Sequence, residues 1–253
     1  MTTDEMKVLN QEFNNRSLNI NSAKKYSDEF YEKFISLFKK NNHKRYLYLS
    51  IKRIFDIFFS LIFIFILIIP FCIIGLLIKN ESNGPIIFKS KRVGKNGNIF
   101  NCYKFRTMIK EAPKDSPTSQ FNNSENYITK IGLFLRKTSI DELPQLFNIL
   151  KGEMTFISYR PLVPTEKKCN EMRDKLGVFS FLPGISGYAQ VKGRDDVYYK
   201  NKALLDAYYV KNASLLFDIK IIFSTFIIVF ARKGSKDDKL QIDKFEYGRE
   251  FRS

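Results

Sequence analysis

Two adjacent carboxylates, Asp141 and Glu142, stand directly before a short predicted helix that begins with Pro144 and ends at Gly152. Proline suits the first turn of a helix, and glycine suits the position where a helix ends. Both acids would then lie near free backbone N–H groups, where an anion is favoured. The basic residues in the same stretch are Lys130, Arg136, Lys137 and Lys151. This setting fits phosphoryl chemistry with a metal ion, although an Asp-Glu pair before a helix is more often only a cap.

The composition narrows the classes of function. The chain has 42 Lys and Arg residues against 26 Asp and Glu residues, a formal net charge of +16. This balance suggests nucleic acid, an anionic membrane surface or phosphorylated substrates as partners. His43 is the only histidine, and Cys72, Cys102 and Cys169 lack metal-ligand spacing. A histidine triad, a histidine metal site and a disulfide framework are therefore excluded, and a nucleophile must come from another residue type.

One apolar run, from Ile57 to Ile78, contains no charged residue and is long enough for a membrane helix. Pro70 lies inside it and would break or kink the helix. Basic residues flank both ends, and such flanks prefer the cytoplasmic side of a membrane. Two topologies stay open on these grounds: a plain span with a proline kink, and a re-entrant helix–break–helix that enters and leaves by the same face.

The remaining pattern predicts an α+β fold that is mostly helical, with one short β-hairpin. Apolar residues recur at helical spacing over 24–40, which indicates an amphipathic helix that packs on the protein or lies on a membrane. Asn96-Gly97 predicts the turn of the hairpin between two short strands. The predicted strands are 85–88 and 99–105, the predicted helices are 166–176 and 200–210, residues 110–126 read as a loop, and 215–231 reads as an interfacial amphipathic helix.

Several short sequence motifs occur together, in the same order as in one known protein family. They are Lys52-Arg53-Ile54-Phe55-Asp56, Gly84-Pro85-Ile86-Ile87-Phe88, Arg92-Val93-Gly94-Lys95-Asn96-Gly97, Tyr103-Lys104-Phe105-Arg106-Thr107-Met108, Leu135-Arg136-Lys137-Thr138-Ser139-Ile140-Asp141-Glu142-Leu143-Pro144-Gln145-Leu146-Phe147-Asn148, Leu150-Lys151-Gly152-Glu153-Met154, Arg160-Pro161-Leu162 and Pro183-Gly184-Ile185-Ser186-Gly187-Tyr188-Ala189-Gln190-Val191-Lys192-Gly193-Arg194. Over roughly residues 50–232 the chain resembles the bacterial sugar transferases, which are monotopic phosphoglycosyl transferases.

The resemblance implies an organisation. It covers a re-entrant membrane helix over 47–80 and a catalytic domain over 81–232, and composition adds a polar N-terminal extension with an amphipathic helix over 1–46 and a charged C-terminal tail over 233–253. Larger relatives carry a multi-span membrane domain ahead of this core. This chain is expected to be the compact form, which has the core without that domain. The expected location is the cytoplasmic face of the bacterial inner membrane, among membrane lipids, and a homo-oligomer stays open.

The resemblance also implies a reaction. A sugar-1-phosphate passes from a UDP-sugar to undecaprenyl phosphate, UMP leaves, and the product starts a surface polysaccharide or glycoprotein glycan. Asp141 corresponds to the nucleophile, which forms a covalent aspartyl-phosphosugar intermediate, and Glu142 corresponds to a ligand of Mg²⁺. The residue types suit this role, because a carboxylate attacks phosphorus without first losing a proton, and the anionic donor needs cations around it.

Further site residues follow from the resemblance. Arg136 corresponds to a phosphate-binding arginine, and the other candidates for phosphate binding are Lys104, Arg106 and Arg160. The expected substrate-binding loop contains Pro183, Gly184, Gln190 and Arg194. For the basic residues, the alternative role is a solvated face or a lipid headgroup contact. The chain departs from the family at Ser158-Tyr159, where Gly-Pro is usual, and Tyr159 is expected to reshape a nucleotide or sugar contact or to reduce activity.

Two other classes of function compete with the transferase. A nucleic-acid binder is suggested only by charge; no binding motif supports it, and the apolar run argues against it, so no nucleic acid is expected as a partner. A non-catalytic membrane scaffold for glycan-assembly enzymes is kept open by the Ser158-Tyr159 departure.

Overall fold

The computed structural model describes residues 44–112, 127–193 and 199–231. The predicted helix over 24–40, most of the loop at 110–126, Arg194 and the charged tail lie outside these residues. The helices are α1 (Lys44–Glu81), α2 (Lys130–Thr138), α3 (Gln145–Lys151), α4 (Lys167–Lys175), α5 (Tyr188–Gly193), α6 (Tyr199–Asn212) and α7 (Leu215–Ala231), and the strands are β1 (Ile87–Val93), β2 (Ile99–Phe105), β3 (Thr155–Ile157) and β4 (Gly184–Ser186). This composition confirms the predicted α+β class with helices in the majority.

The hairpin forms where Asn96-Gly97 predicted it. Strands β1 and β2 pair antiparallel from Ile87↔Phe105 to Val93↔Ile99. The connecting turn has φ of 57° at Asn96 and 75° at Gly97, the left-handed values that these residue types tolerate. Strand β1 is longer than the predicted 85–88, because its lysines face solvent on the open side of the sheet, where charge does not interrupt pairing.

A second sheet was not predicted. Strands β3 and β4 pair in parallel, with Thr155 opposite Gly184 and Ile157 opposite Ser186. Two glycines permit the approach of the chains, since a Cβ on Gly184 would lie 2.2 Å from the backbone nitrogen of Ser158, and one on Gly187 would lie 1.8 Å from its carbonyl oxygen. The glycines of segment 183–187 therefore allow β4 to lie close to β3.

Helix α1 continues through Pro70, so the break expected there does not end the helix. Over Tyr46–Glu81 it is the one helix in the described residues that is long and apolar enough to cross a membrane. Large side chains on one side of it are exposed, among them Phe58, Phe65 and Ile69. The other side packs against the rest of the molecule: Phe63 contacts Phe156, and Phe71 meets Phe105 with ring centroids 5.2 Å apart.

Both ends of α1 are fastened to the same body. Near its start, Lys52 Nζ lies 2.5 Å from Asp218 Oδ2 on α7, and both side chains are buried. At its end, the Glu81 carboxylate accepts hydrogen bonds of 2.6 and 3.0 Å from the backbone N–H groups of Lys130 and Ile131, at the start of α2. Helix α1 therefore follows the domain over its whole length.

Three apolar clusters hold the elements in place. The largest surrounds Tyr159, Phe181, Leu204 and Tyr209 and joins α4, α6 and α7. A second cluster packs α3 on the hairpin, and a third joins the end of α1 to β2 and α2 through Ile78, Phe105 and Leu135. The segment between α2 and α3, which carries Asp141, is thereby fixed over the hairpin.

Candidate active site

Asp141 and Glu142 occupy a single 3₁₀ turn between α2 and α3. Ser139, with φ of 58°, ends α2, and Gly152, with φ of 81°, ends α3, as the sequence predicted for the short helix. The alternative role of the acids as helix caps finds no support, because within the described residues neither carboxylate accepts a hydrogen bond from a backbone N–H group. The two carboxylates are therefore available for other partners.

Glu142 is held by two cations. Its Oε1 accepts hydrogen bonds from Lys104 Nζ at 2.7 Å and from Arg160 Nη2 at 2.6 Å, and its Oε2 accepts from Arg160 Nη1 at 3.1 Å. Burial alone would raise the pKa of Glu142, but the charges and hydrogen bonds of Arg160 and Lys104 outweigh it and hold that pKa well below the usual range. Glu142 is thus ionised and oriented.

Asp141 is buried yet unclamped. Its Oδ2 lies 4.0 Å from Lys104 Nζ, and within the described residues its carboxylate accepts no hydrogen bond. Burial and the neighbouring charge of Glu142 raise the pKa of Asp141, while Lys104, Arg136 and Arg160 oppose that shift. Adjacent carboxylates whose environments move their pKa values in opposite directions are typical of groups with different chemical roles.

Arg136 lies in the last turn of α2, beside this pair. Its Nε donates to Thr107 Oγ1 at 2.7 Å. Burial lowers the pKa of the Arg136 guanidinium and the charge of Asp141 raises it, and an arginine remains protonated under either influence. Of the predicted phosphate-binding residues, Arg136, Lys104 and Arg160 are therefore brought together around the carboxylates.

Arg106 is placed elsewhere. Its guanidinium donates to Ile78 O, Ser82 O, Ser82 Oγ and Asn83 O at the C-terminal end of α1. Basic side chains are favoured there, because they satisfy the last carbonyls of a helix. A Cβ on Gly84, whose φ is 130°, would lie 2.2 Å from Arg106 Nη1, so glycine makes room for this contact. The guanidinium of Arg106 thus binds the end of α1, away from the two carboxylates, and its role in phosphate binding stays a prediction.

The expected substrate-binding loop makes its contacts with β3 and with its own segment. The Pro183 carbonyl accepts from Thr155 N–H at 2.9 Å, and Gly184 N–H donates to Tyr159 O at 2.8 Å. Gln190 Nε2 donates to Ile185 O at 3.4 Å. No described hydrogen bond or ion pair joins these three residues to Asp141 or Glu142, and their role in substrate binding stays a prediction.

Tyr159 is a core residue. It is fully buried, its hydroxyl donates to Phe181 O at 3.3 Å, and the Arg173 guanidinium lies 5.3 Å from its ring centroid. Arg173 forms a buried ion pair with Asp206 and donates to the Arg160 carbonyl at 3.0 Å. The departure from the family therefore fills the interior, and Arg160 still reaches Glu142.

Arg92 is not among the site residues predicted from the sequence. In the structure its Nη1 donates to Pro161 O at 3.3 Å, next to Arg160. Burial lowers the pKa of Arg92, the charge of Arg160 lowers it further, and Glu142 is close enough to oppose this. The sequence did point to Arg92, because this residue begins one of the motifs on which the family resemblance rests.

The two carboxylates do not form a complete metal site by themselves, and a Mg²⁺ ion here would need further ligands. The described residues contain no group of three or more His, Cys, Asp and Glu side chains that could hold a metal. Mg²⁺ is commonly bound through one or two carboxylates together with substrate phosphates and water. The three hydrogen bonds to Glu142 use three of about four acceptor sites of a carboxylate, so one remains on Oε2.

Comparison with known proteins gives consistent results. The profile of the family described as Bacterial sugar transferase matches residues 47–232. Undecaprenyl-phosphate galactose phosphotransferase of Salmonella typhimurium is 39% identical over 201 residues, which cover 73% of this chain and 41% of that protein. Undecaprenyl-phosphate glucose phosphotransferase of Komagataeibacter xylinus is 36% identical over 186 residues, covering 69% of this chain and 35% of that protein.

A shorter relative matches over most of its own length. Exopolysaccharide production protein ExoY of Sinorhizobium fredii is 36% identical over 200 residues, which cover 73% of this chain and 87% of that protein. The chain thus spans about two fifths of the Salmonella typhimurium protein and most of the ExoY protein. Because the profile covers most of the sequence, including the Asp141 turn and the hairpin beneath it, the chain belongs to the bacterial sugar transferase family.

Proposed function

We propose that this protein transfers a sugar-1-phosphate from a UDP-sugar to undecaprenyl phosphate, with release of UMP, and so initiates a surface polysaccharide or glycoprotein glycan. The observation that carries the proposal is the division between the two carboxylates: Glu142 is clamped by Lys104 and Arg160, while Asp141 is unclamped beside Arg136. The names of the relatives support a sugar phosphate as the transferred group and undecaprenyl phosphate as the acceptor.

The chain's own residues account for a two-step transfer. In the first step, an Asp141 carboxylate oxygen forms a bond to the phosphorus that carries the sugar, and the bond from that phosphorus to the bridging oxygen breaks. The electron pair leaves with UMP. In the second step, an oxygen of undecaprenyl phosphate attacks the same phosphorus and Asp141 departs. Fixed cations at Arg136, Lys104 and Arg160 stabilise the charge on the transferring group.

Mg²⁺ would be held by Glu142, with Asp141 beside it and the donor phosphates completing the coordination. When bound, it would neutralise charge on the pyrophosphate. The Lys104 and Arg160 contacts keep the Glu142 carboxylate ionised and fixed in direction, so that its remaining acceptor site is presented in one orientation.

The burial pattern of helix α7 supports membrane attachment, because its acidic residue is buried while its large apolar side chains are exposed. Its Asp218 is buried and accepts a hydrogen bond of 2.6 Å from Tyr209, while Leu216 and Phe223 are 74% and 65% exposed. On α1 the exposed side is also apolar, with Phe65 80% exposed. Such surfaces on neighbouring helices fit an apolar surrounding. We place this face in the inner leaflet, with the site at the cytoplasmic surface.

The attachment of α1 also supports a monotopic arrangement. A span would carry its ends to opposite faces of a hydrocarbon core of about 30 Å. Both ends of α1 instead contact one domain, through Lys52–Asp218 and through Glu81 with the start of α2. The proposal is therefore that both ends of α1 lie on the same side of the membrane, with the apolar side of the helix in lipid.

UMP release tests the reaction. Purified protein in detergent should release UMP from at least one UDP-sugar when Mg²⁺ and undecaprenyl phosphate are present, and UDP-galactose and UDP-glucose are the first donors to compare. Removal of Mg²⁺ with a chelator should abolish the release. A protein that releases no UMP from any donor of a wide panel would contradict the proposal and favour the scaffold role.

Cysteine labelling tests the topology. Ser50 and Asn80 are exposed near the two ends of α1 and are replaced singly by cysteine in a background in which Cys72, Cys102 and Cys169 are alanine. In intact cells an impermeant thiol reagent should label neither position, and after permeabilisation it should label both. Labelling of only one position from outside would establish a full span instead.

A further inference from the structure

Arg136 makes a hydrogen bond with Thr107, a residue that is neither among the predicted site residues nor part of the proposed reaction. Thr107 follows β2 and is 7% exposed. Its Oγ1 accepts from Arg136 Nε at 2.7 Å, and within the described residues the guanidinium makes no other hydrogen bond. The contact joins the hairpin to the last turn of α2, just before the turn that carries Asp141.

Thr107 is itself fixed in place by the start of the same helix. Its carbonyl oxygen accepts from Thr129 N–H at 3.1 Å. Gly132 lies so close that a Cβ there would be 2.1 Å from this carbonyl oxygen. Thr129 in turn accepts a hydrogen bond from Gly132 N–H at 2.9 Å through its side chain. Helix α2 is therefore held against Thr107 at both of its ends.

The geometry of a guanidinium gives this contact a consequence. The group is planar, and a hydrogen bond at Nε fixes the direction of its plane. The edge formed by Nη1 and Nη2 then remains for a bidentate contact with phosphate. Without the bond at Nε, the side chain would have to be ordered by the substrate alone, and this ordering costs binding free energy.

We propose that Thr107 is the positioning residue for Arg136: its hydroxyl orients the guanidinium so that the outer edge faces the diphosphate of the donor beside Asp141. The inference rests on the proposed function and adds to it a residue that acts through Arg136. It predicts that the hydroxyl of Thr107, rather than its methyl group, matters for donor binding and turnover.

A matched pair of variants separates the two groups. Thr107→Val keeps the shape and removes the hydroxyl, whereas Thr107→Ser keeps the hydroxyl and removes the methyl group. A hydrogen bond to a charged group is lost in the valine variant, so kcat/KM for the UDP-sugar should fall about tenfold to a hundredfold. The serine variant should stay within about threefold of the wild type. Equal losses in both variants would assign Thr107 to packing and overturn the inference.

A double-mutant cycle tests whether Thr107 acts through Arg136. In an Arg136→Ala background, adding Thr107→Val should cause little further loss, because the partner is already absent. A further loss as large as that seen in the wild-type background would overturn the inference. Thermal unfolding of all variants accompanies the kinetics, and Thr107→Ser keeps the comparison informative where valine lowers stability.

Binding of UDP separates failure of this inference from failure of the proposed function. Calorimetric titration with UDP and Mg²⁺ should show weaker binding for Thr107→Val and near-normal binding for Thr107→Ser. In one outcome, the variants differ in UDP binding as expected while the wild-type protein releases no UMP. That result would contradict the proposed reaction and leave the positioning role of Thr107 intact. A wild-type protein that does not bind UDP at all would overturn both.

Discussion

Replacing Asp141 with asparagine should reduce UMP release by roughly 10³-fold or more, because an amide cannot serve as the nucleophile. The change is nearly isosteric. Since the Asp141 carboxylate accepts no hydrogen bond within the described residues, the local structure has little to lose. The effect should therefore appear in turnover and not in thermal unfolding.

A covalent intermediate distinguishes the proposed mechanism from direct attack by the lipid phosphate. Wild-type protein mixed with UDP-sugar and Mg²⁺, without acceptor, should gain the mass of one sugar-phosphate on the peptide that contains Asp141. Asp174→Asn, at an exposed position of α4, is the matched control and should behave as the wild type does. Near-normal UMP release by Asp141→Asn would favour direct attack.

Local signals allowed much of the fold to be predicted. The Pro144 and Gly152 pair gave the limits of α3, and Asn96-Gly97 gave the hairpin turn, because each depends on the backbone preference of one or two residues. The helices predicted over 166–176 and 200–210 agree with α4 and α6 to within two residues. Their sequence patterns reflect local periodicity that tertiary contacts did not override.

Long-range contacts account for what could not be predicted. Arg106 comes two residues after Lys104 and just past the end of β2 at Phe105, and its guanidinium reaches the end of α1 while Lys104 reaches Glu142. The β3–β4 pair joins residues 29 positions apart, and Arg173 comes 14 positions after the Tyr159 ring that it covers, so no local pattern reports either contact. The family resemblance placed the carboxylates and their main cations, but not their separate environments.

Replacing Glu142 with glutamine should lower UMP release by roughly 10²-fold, the scale seen when one electrostatic contact of an active site is removed. The amide has no charge to offer Lys104 and Arg160, so their orientation toward the donor weakens. The acid limb of the pH dependence should move as well. Burial and the charge of Glu142 both raise the pKa of Asp141, and loss of that charge leaves only burial to oppose Lys104, Arg136 and Arg160. The pKa of Asp141 should therefore fall.

The sign of that shift separates an electrostatic role of Glu142 from simple damage. Turnover requires ionised Asp141, so a lower pKa keeps the variant's residual activity down to a lower pH than in the wild type, even though its maximum rate is smaller. The pH dependence of kcat/KM measures this, with Glu171→Gln on the exposed side of α4 as the control. An acid limb that stayed fixed or moved to higher pH would show that Glu142 does not set the charge state of Asp141. The rate loss would then have to arise from metal or donor binding alone.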